Sequence, residues 1–212
     1  MMRIIFRPKT NTFQDILVAI HAARVWQERQ DNIIQMLEKY SGLTFRQKTI
    51  YARSGAFSGD FTSGFPKYSA MDLPLASRLE GGEIGTYHRE RQYVGNVGHE
   101  LAHHLLLEHD IVAPSGQNHD FVAHQHIYLF LLDAWKDAYD PTIAEEFIAD
   151  EAAIDRKGYA EAFHWANDMS FTERQRTLKY LVCHKKLPKS SGAPGRTVAR
   201  LTKVATVQDT AE

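Results

Sequence analysis

Val94-Gly95-Asn96-Val97-Gly98-His99-Glu100-Leu101-Ala102-His103-His104-Leu105-Leu106-Leu107 carries apolar residues at 94, 97, 101 and 105. That is the three-to-four spacing of a helix with one core-facing stripe, and the spacing predicts a helix over at least 99–107. On a helix, residues four apart stand one turn above each other, so His99 and His103 present two imidazoles to one point. Glu100 projects at a neighbouring angle. The pattern H-E-x-x-H is therefore a clamp for a single metal ion with a carboxylate beside it, placed to take a proton from water activated at that ion. Zn²⁺ suits the pair, because it accepts imidazole nitrogen, has no redox chemistry and keeps a position open for water in catalytic sites.

Hydrolytic zinc sites use three protein ligands, so one remains to be found. Seven of the 11 histidines lie between positions 99 and 126, which confines the search. His119 follows a loop broken by Pro114 and Gly116, opens the next helical segment, and is the first choice. The carboxylate competitors are Glu146 and Glu151, each heading an E-x-x-x-D pattern (Glu146 with Asp150, Glu151 with Asp155) in which an Asp could orient an imidazole. His104 points about 100° away from His103 and cannot share its face. His109 would need a glycine turn where Leu106 stands. His124 and His126 read as surface or supporting groups.

Working outward, Phe13, Ile16, Leu17 and Ile20, then Ile33, Ile34, Leu37 and Tyr40, predict one long helix or two over roughly 12–41, stopped by Gly42. From Leu43 to Gly85 β-branched and aromatic residues alternate with Ser54-Gly55, Ser58-Gly59, Ser63-Gly64 and Gly81-Gly82, as in a small, irregular antiparallel sheet. Glu83 to Tyr93 could add a last strand feeding the H-E-x-x-H helix. Beyond the loop 110–118, helices are predicted over 119–138, from the capping pair Asp140-Pro141 to Lys157, and from Ser170, with Glu173 completing a capping box, to about His184. This is an α+β chain, with a single domain over 1–186. From Leu187 onward Pro188, Gly192, Pro194 and Gly195 predict a flexible tail over 187–212, with basic residues that most simply face water.

A chain of 212 residues, 43% hydrophobic and 24% charged, is long enough to bury a core without disulfide or metal staples, so a metal here would serve function rather than folding. Lys and Arg (25) nearly cancel Asp and Glu (26), which gives no overall steering toward nucleic acid or anionic membranes, though local patches remain open. The single cysteine, Cys183, rules out an internal disulfide and a Cys-rich zinc site, and fits a reducing compartment. No apolar stretch approaches the roughly 20 residues of a membrane span, and Met1 to Thr10 has no secretory apolar region. A cytoplasmic location is expected.

The residues quoted resemble the zincin metallohydrolases, and within them the small SprT-like group and related H-E-x-x-H metallohydrolases of bacteria. His99-Glu100-Leu101-Ala102-His103 is similar to that group's active helix, and Asn118-His119-Asp120-Phe121 with Ile127 to Leu132 to the segment carrying its third histidine. The likeness covers roughly residues 83–135. Asp120 and Phe121 depart from the usual residues after that histidine, and no cysteine-rich zinc ribbon follows. A rival likeness, Glu146-x-x-Ala149-Asp150-x-x-Ala153, is to HtpX-type peptidases, which carry membrane helices.

The resemblance implies a zincin-like fold and a zinc-dependent metallopeptidase acting on peptides or proteins. His99, His103 and His119 would be the ligands and Glu100 the general base. Ile84 to Tyr93 would be the strand that pairs with substrate, and Tyr87, His88 or Tyr93 are candidates to face a developing oxyanion. A non-catalytic zincin-like binding module is the alternative, and nucleic acid is not an expected partner.

Overall fold

Arg3-Ile4-Ile5-Phe6-Arg7-Pro8 sets a β-branched and aromatic run between two arginines, and it forms a strand that the sequence reading did not anticipate (β1, Arg3–Pro8). The computed structural model describes residues 2–30, 32–55, 63–65, 70–74, 87–113, 119–153 and 158–185. The glycine turns at 58–59 and 81–82, segment 83–86, loop residues 114–118 and the tail 187–212 lie outside the described residues. After β1 come α1 (Phe13–Arg29), α2 (Ile33–Ser41), β2 (Thr49–Gly55), β3 (Ser63–Phe65) and β4 (Ala70–Pro74). Then follow α3 (Tyr87–Glu108), α4 (His119–Ala138), α5 (Pro141–Ala152), α6 (Tyr159–Asn167) and α7 (Phe171–His184). The fold is α+β.

The strands form one sheet in the order β1-β2-β4-β3. β1 and β2 are parallel, β2 and β4 are parallel, and only β3 runs antiparallel, against β4. The expected antiparallel sheet is thus corrected to a mostly parallel one. The reason is β1: once a strand precedes the two helices, the chain returns by a long helical crossover, and such a connection makes parallel neighbours. Ile50 and Ala52 of β2 are fully buried, with Ile4 and Phe6 of β1 packed on the same core, while Arg3 and Arg7 are exposed.

The expected last strand over 83–93 is also corrected, because residues 87–93 are the first turns of α3. His88-Arg89-Glu90-Arg91-Gln92 is rich in good helix formers and offers no alternation to a sheet. Tyr93, Val94, Val97, Leu101 and Leu105 are all buried, so the stripe read at 94–105 begins one residue earlier. The predicted helices at the N-terminus separate into α1 and α2 at Gln30, and Gly42 ends α2 in the left-handed conformation, φ 68°. α4 has the predicted bounds. Asp140 caps α5 through Thr142, and Ser170 and Glu173 form the capping box of α7. α6 was not foreseen.

α4 is the central element. Every residue from His124 to Trp135 is buried, and the helix packs against α2, α3, α5, α6 and α7, which covers the apolar run Ile127 to Leu132 on every side. Two glycines let α3 approach its neighbours closely. A Cβ on Gly95 would stand 2.9 Å from the Phe147 ring of α5, and one on Gly98 3.1 Å from the Trp135 indole of α4. The polar stretch after α6 is fixed by Arg174, whose guanidinium donates to both oxygens of Asp133 (2.9 and 2.6 Å) and to the carbonyls of Met169 and Ala166 (2.6 and 3.3 Å). Both side chains are nearly out of water.

Removing one partner of such a pair leaves a buried charge without compensation. Asp133→Ala should therefore lower unfolding stability by about 3–5 kcal/mol, whereas Asp133→Leu combined with Arg174→Met should lose far less. Urea titration followed by circular dichroism measures both; equal losses in the two variants would refute the argument.

Candidate metal centre

His99 and His103 lie on one face of α3, their ring centroids 5.0 Å apart. The third imidazole beside them comes from α4. It is His124, at 5.2 Å from His99 and 4.9 Å from His103 between centroids. One nitrogen from each ring lies within 4.8 Å of the other two, and no other group of three or more His, Cys, Asp or Glu among the described residues comes together in this way. Three imidazoles are thus close enough to hold one ion. His119, the expected third member, is exposed at the first residue of α4, outside the cluster. Five residues on a helix rotate a side chain by about 140°, so His119 and His124 cannot face the same way.

The tautomers of two rings follow from their partners. Nδ1 of His99 lies 3.0 Å from Oε1 of Glu151 on α5, and an ionised carboxylate only accepts, so Nδ1–H donates. Nε2 then bears the lone pair, and this buried atom has no hydrogen-bond partner. Nδ1 of His124 donates likewise to the carbonyl of Asp120, which leaves Nε2 unprotonated in the neutral ring. The other oxygen of Glu151 accepts from the hydroxyl of Tyr128. Glu151 is therefore the carboxylate that orients the His99 imidazole, the arrangement usual behind metal-bound histidine. Glu146, the other carboxylate competitor, lies on α5 outside the cluster.

Electrostatics favour a cation here. Burial lowers the pKa of His99, but the charge and hydrogen bond of Glu151 and the charge of Glu100 outweigh it, so the net shift is upward. Burial, followed by the neighbouring imidazoles, holds His103 well below the ordinary histidine value, which keeps its ring neutral and able to ligate. Burial, then the charge of Glu151, pushes the Tyr128 hydroxyl up, so it remains a donor. Glu100 is 3% exposed. Two buried carboxylates, Glu100 and Glu151, beside the neutral ring of His103 are a setting that a divalent cation would suit.

Tyr159 closes the cluster. Its ring is stacked 5.9 Å from His99 at an interplanar angle of 3° and lies 3.5 Å from His124 between centroids. It opens α6 directly after Gly158, whose φ is 94° and where a Cβ would stand 3.1–3.3 Å from Phe121 of α4. Only glycine permits that turn and that approach together. Of the residues suggested to face an oxyanion, Tyr93 instead packs in the core beside Phe6, at 6.3 Å, and the side chains of Tyr87 and His88 lie outside the described residues. His124, Tyr128 and Tyr159 were missed as site residues. A signal for His124 existed, since it stands less than one turn before the apolar run Ile127 to Leu132 on the same helix.

The chain matches no family model, no curated protein and no solved structure.

Truncating Glu151 removes the group that fixes His99. Glu151→Ala is expected to weaken metal affinity by about 10–100-fold, read by competition against a chromophoric chelator; unchanged affinity would show that Glu151 does not support the ligand.

Proposed function

We propose that the chain is a zinc-dependent hydrolase of peptide bonds, with His99, His103 and His124 as the ligands and Glu100 as the general base. The observation that carries this reading is the buried, unbonded Nε2 of His99, gathered with His103 and His124 next to the carboxylate of the H-E-x-x-H pattern. A zinc ion bound there supplies Lewis acidity, lowering the pKa of water toward neutrality and polarising a carbonyl.

The chain's own residues do the rest. Glu100 takes the proton of the attacking water and delivers it to the leaving amine as the C–N bond breaks. Glu151 and Tyr128 hold His99 in its ligating tautomer, and Tyr159 packs on two of the rings. A purely structural site would have no use for a buried carboxylate at position 100, which favours the enzyme over a binding module. The architecture supports a zincin-like reading, since the H-E-x-x-H helix α3 packs against β3, the antiparallel edge strand. The lone thiol Cys183, exposed, supports action in the reducing cytoplasm.

Elemental analysis should find about one zinc per chain, lost in His103→Ala and His124→Ala but kept in His119→Ala and Glu146→Ala. Glu100→Gln should keep the metal while hydrolysis of unfolded protein substrate falls by about 10²–10⁴-fold. Turnover by Glu100→Gln at the wild-type rate, or metal loss with His119 rather than His124, would overturn the proposal.

A further inference from the structure

Tyr159 touches two of the three clustered imidazoles, and no step of the proposed chemistry uses it. Its ring centroid lies 3.5 Å from that of His124 with the planes tilted by 41°, and the ring stands parallel to His99, within 3°, at 5.9 Å. Neutral aromatic rings settle with centroids about 4.5–7 Å apart, offset or edge-on, because two electron-rich faces laid over each other repel. The pair with His99 obeys that preference, and the pair with His124 does not. Such a close approach of two ring faces becomes attractive when one ring carries positive charge, which the negative face of the phenol then meets.

The approach is built into the backbone. Tyr159 is the first residue of α6, and Ala162, Phe163 and Ala166 are the buried face of that helix, which packs on α4. Phe163 meets Tyr128 edge-on there, at 5.7 Å and 85°. Gly158, at φ 94°, sets the turn that delivers the ring. Tyr159 itself is only half-buried, whereas His99 and His124 are buried, and it is not one of the side chains that make up the apolar core. Filling space does not explain it.

Tyr128 supplies the contrast. It neighbours the same two imidazoles, but at 6.2 Å and 75° from His99 and 5.9 Å from His124, and its hydroxyl donates to Glu151. Tyr128 acts through its oxygen. We propose that Tyr159 is a positioning residue of the metal centre that acts through its ring: the phenol face stabilises the positive charge that a bound divalent cation spreads onto His124 and His99, and so favours the metal-bound state over the empty one. This rests on the metal-binding reading of the cluster. It makes the hydroxyl of Tyr159 dispensable for metal affinity and the electron density of its ring essential.

Zinc affinity of the full chain, measured by competition against a chromophoric chelator, tests it. Tyr159→Phe should bind zinc like wild type, and Tyr159→Leu should bind about 3–30-fold more weakly. Pentafluorophenylalanine incorporated at position 159 nearly keeps the ring's shape but reverses the polarity of its face. It should lower affinity at least as much as leucine does, while thermal unfolding of the metal-free chain stays at the Tyr159→Phe value. Equal affinity of the fluorinated and Tyr159→Phe chains, or a loss with Tyr159→Phe as large as with Tyr159→Leu, would overturn the proposal and leave the metal centre standing. A wild-type chain that binds no divalent metal would overturn both together.

Discussion

Glu151 is a carboxylate taken out of water where α3, α4 and α5 meet, and an ion so placed costs several kcal/mol unless its oxygens are satisfied. Its two partners, His99 and Tyr128, come from the two other helices. Their relative placement is thereby constrained to the geometry in which the His99 ring turns Nε2 toward His103 and His124. Gly95 and Gly98 make that geometry sterically possible, since any side chain there would hold α3 away from Phe147 and Trp135. Packing and site are thus parts of one arrangement.

The motif pair His99 and His103 was readable because helical periodicity determines both the element and the face. The third imidazole was not. Its identity depends on where α4 begins and how it is rotated against α3, and neither is encoded in a hydrophobic period that the sequence between the two helices lets one count. His119 was favoured for its position at a helix start, yet a first-turn residue is also the one most easily left in water, as it is here. Tyr159 depends on Gly158 turning the chain back over Phe121, a tertiary approach that local patterning does not carry.

The sheet illustrates the same limit. Strand texture after Leu43 was visible, but strand direction depends on β1, whose six residues are too few to stand out against the helix that follows. Capping chemistry, by contrast, is local and transferred well: Asp140 and the Ser170–Glu173 box lie where their side chains dictate. The N-terminal unit shows how one element can serve two surroundings, with α1 buried through Ala22 and Val25 on one face and exposed through Phe13 and Ile20 on the other.

The central claim is that three imidazoles from two helices hold one ion, with Glu151 behind the first. X-ray anomalous scattering at the zinc absorption edge, on crystals of the zinc-loaded chain, tests it directly. The expected result is a single strong peak within bonding distance of nitrogens of His99, His103 and His124, with Glu151 still bonded to His99. A peak bound to His119 or Glu146 instead, or none in that cluster, would contradict it.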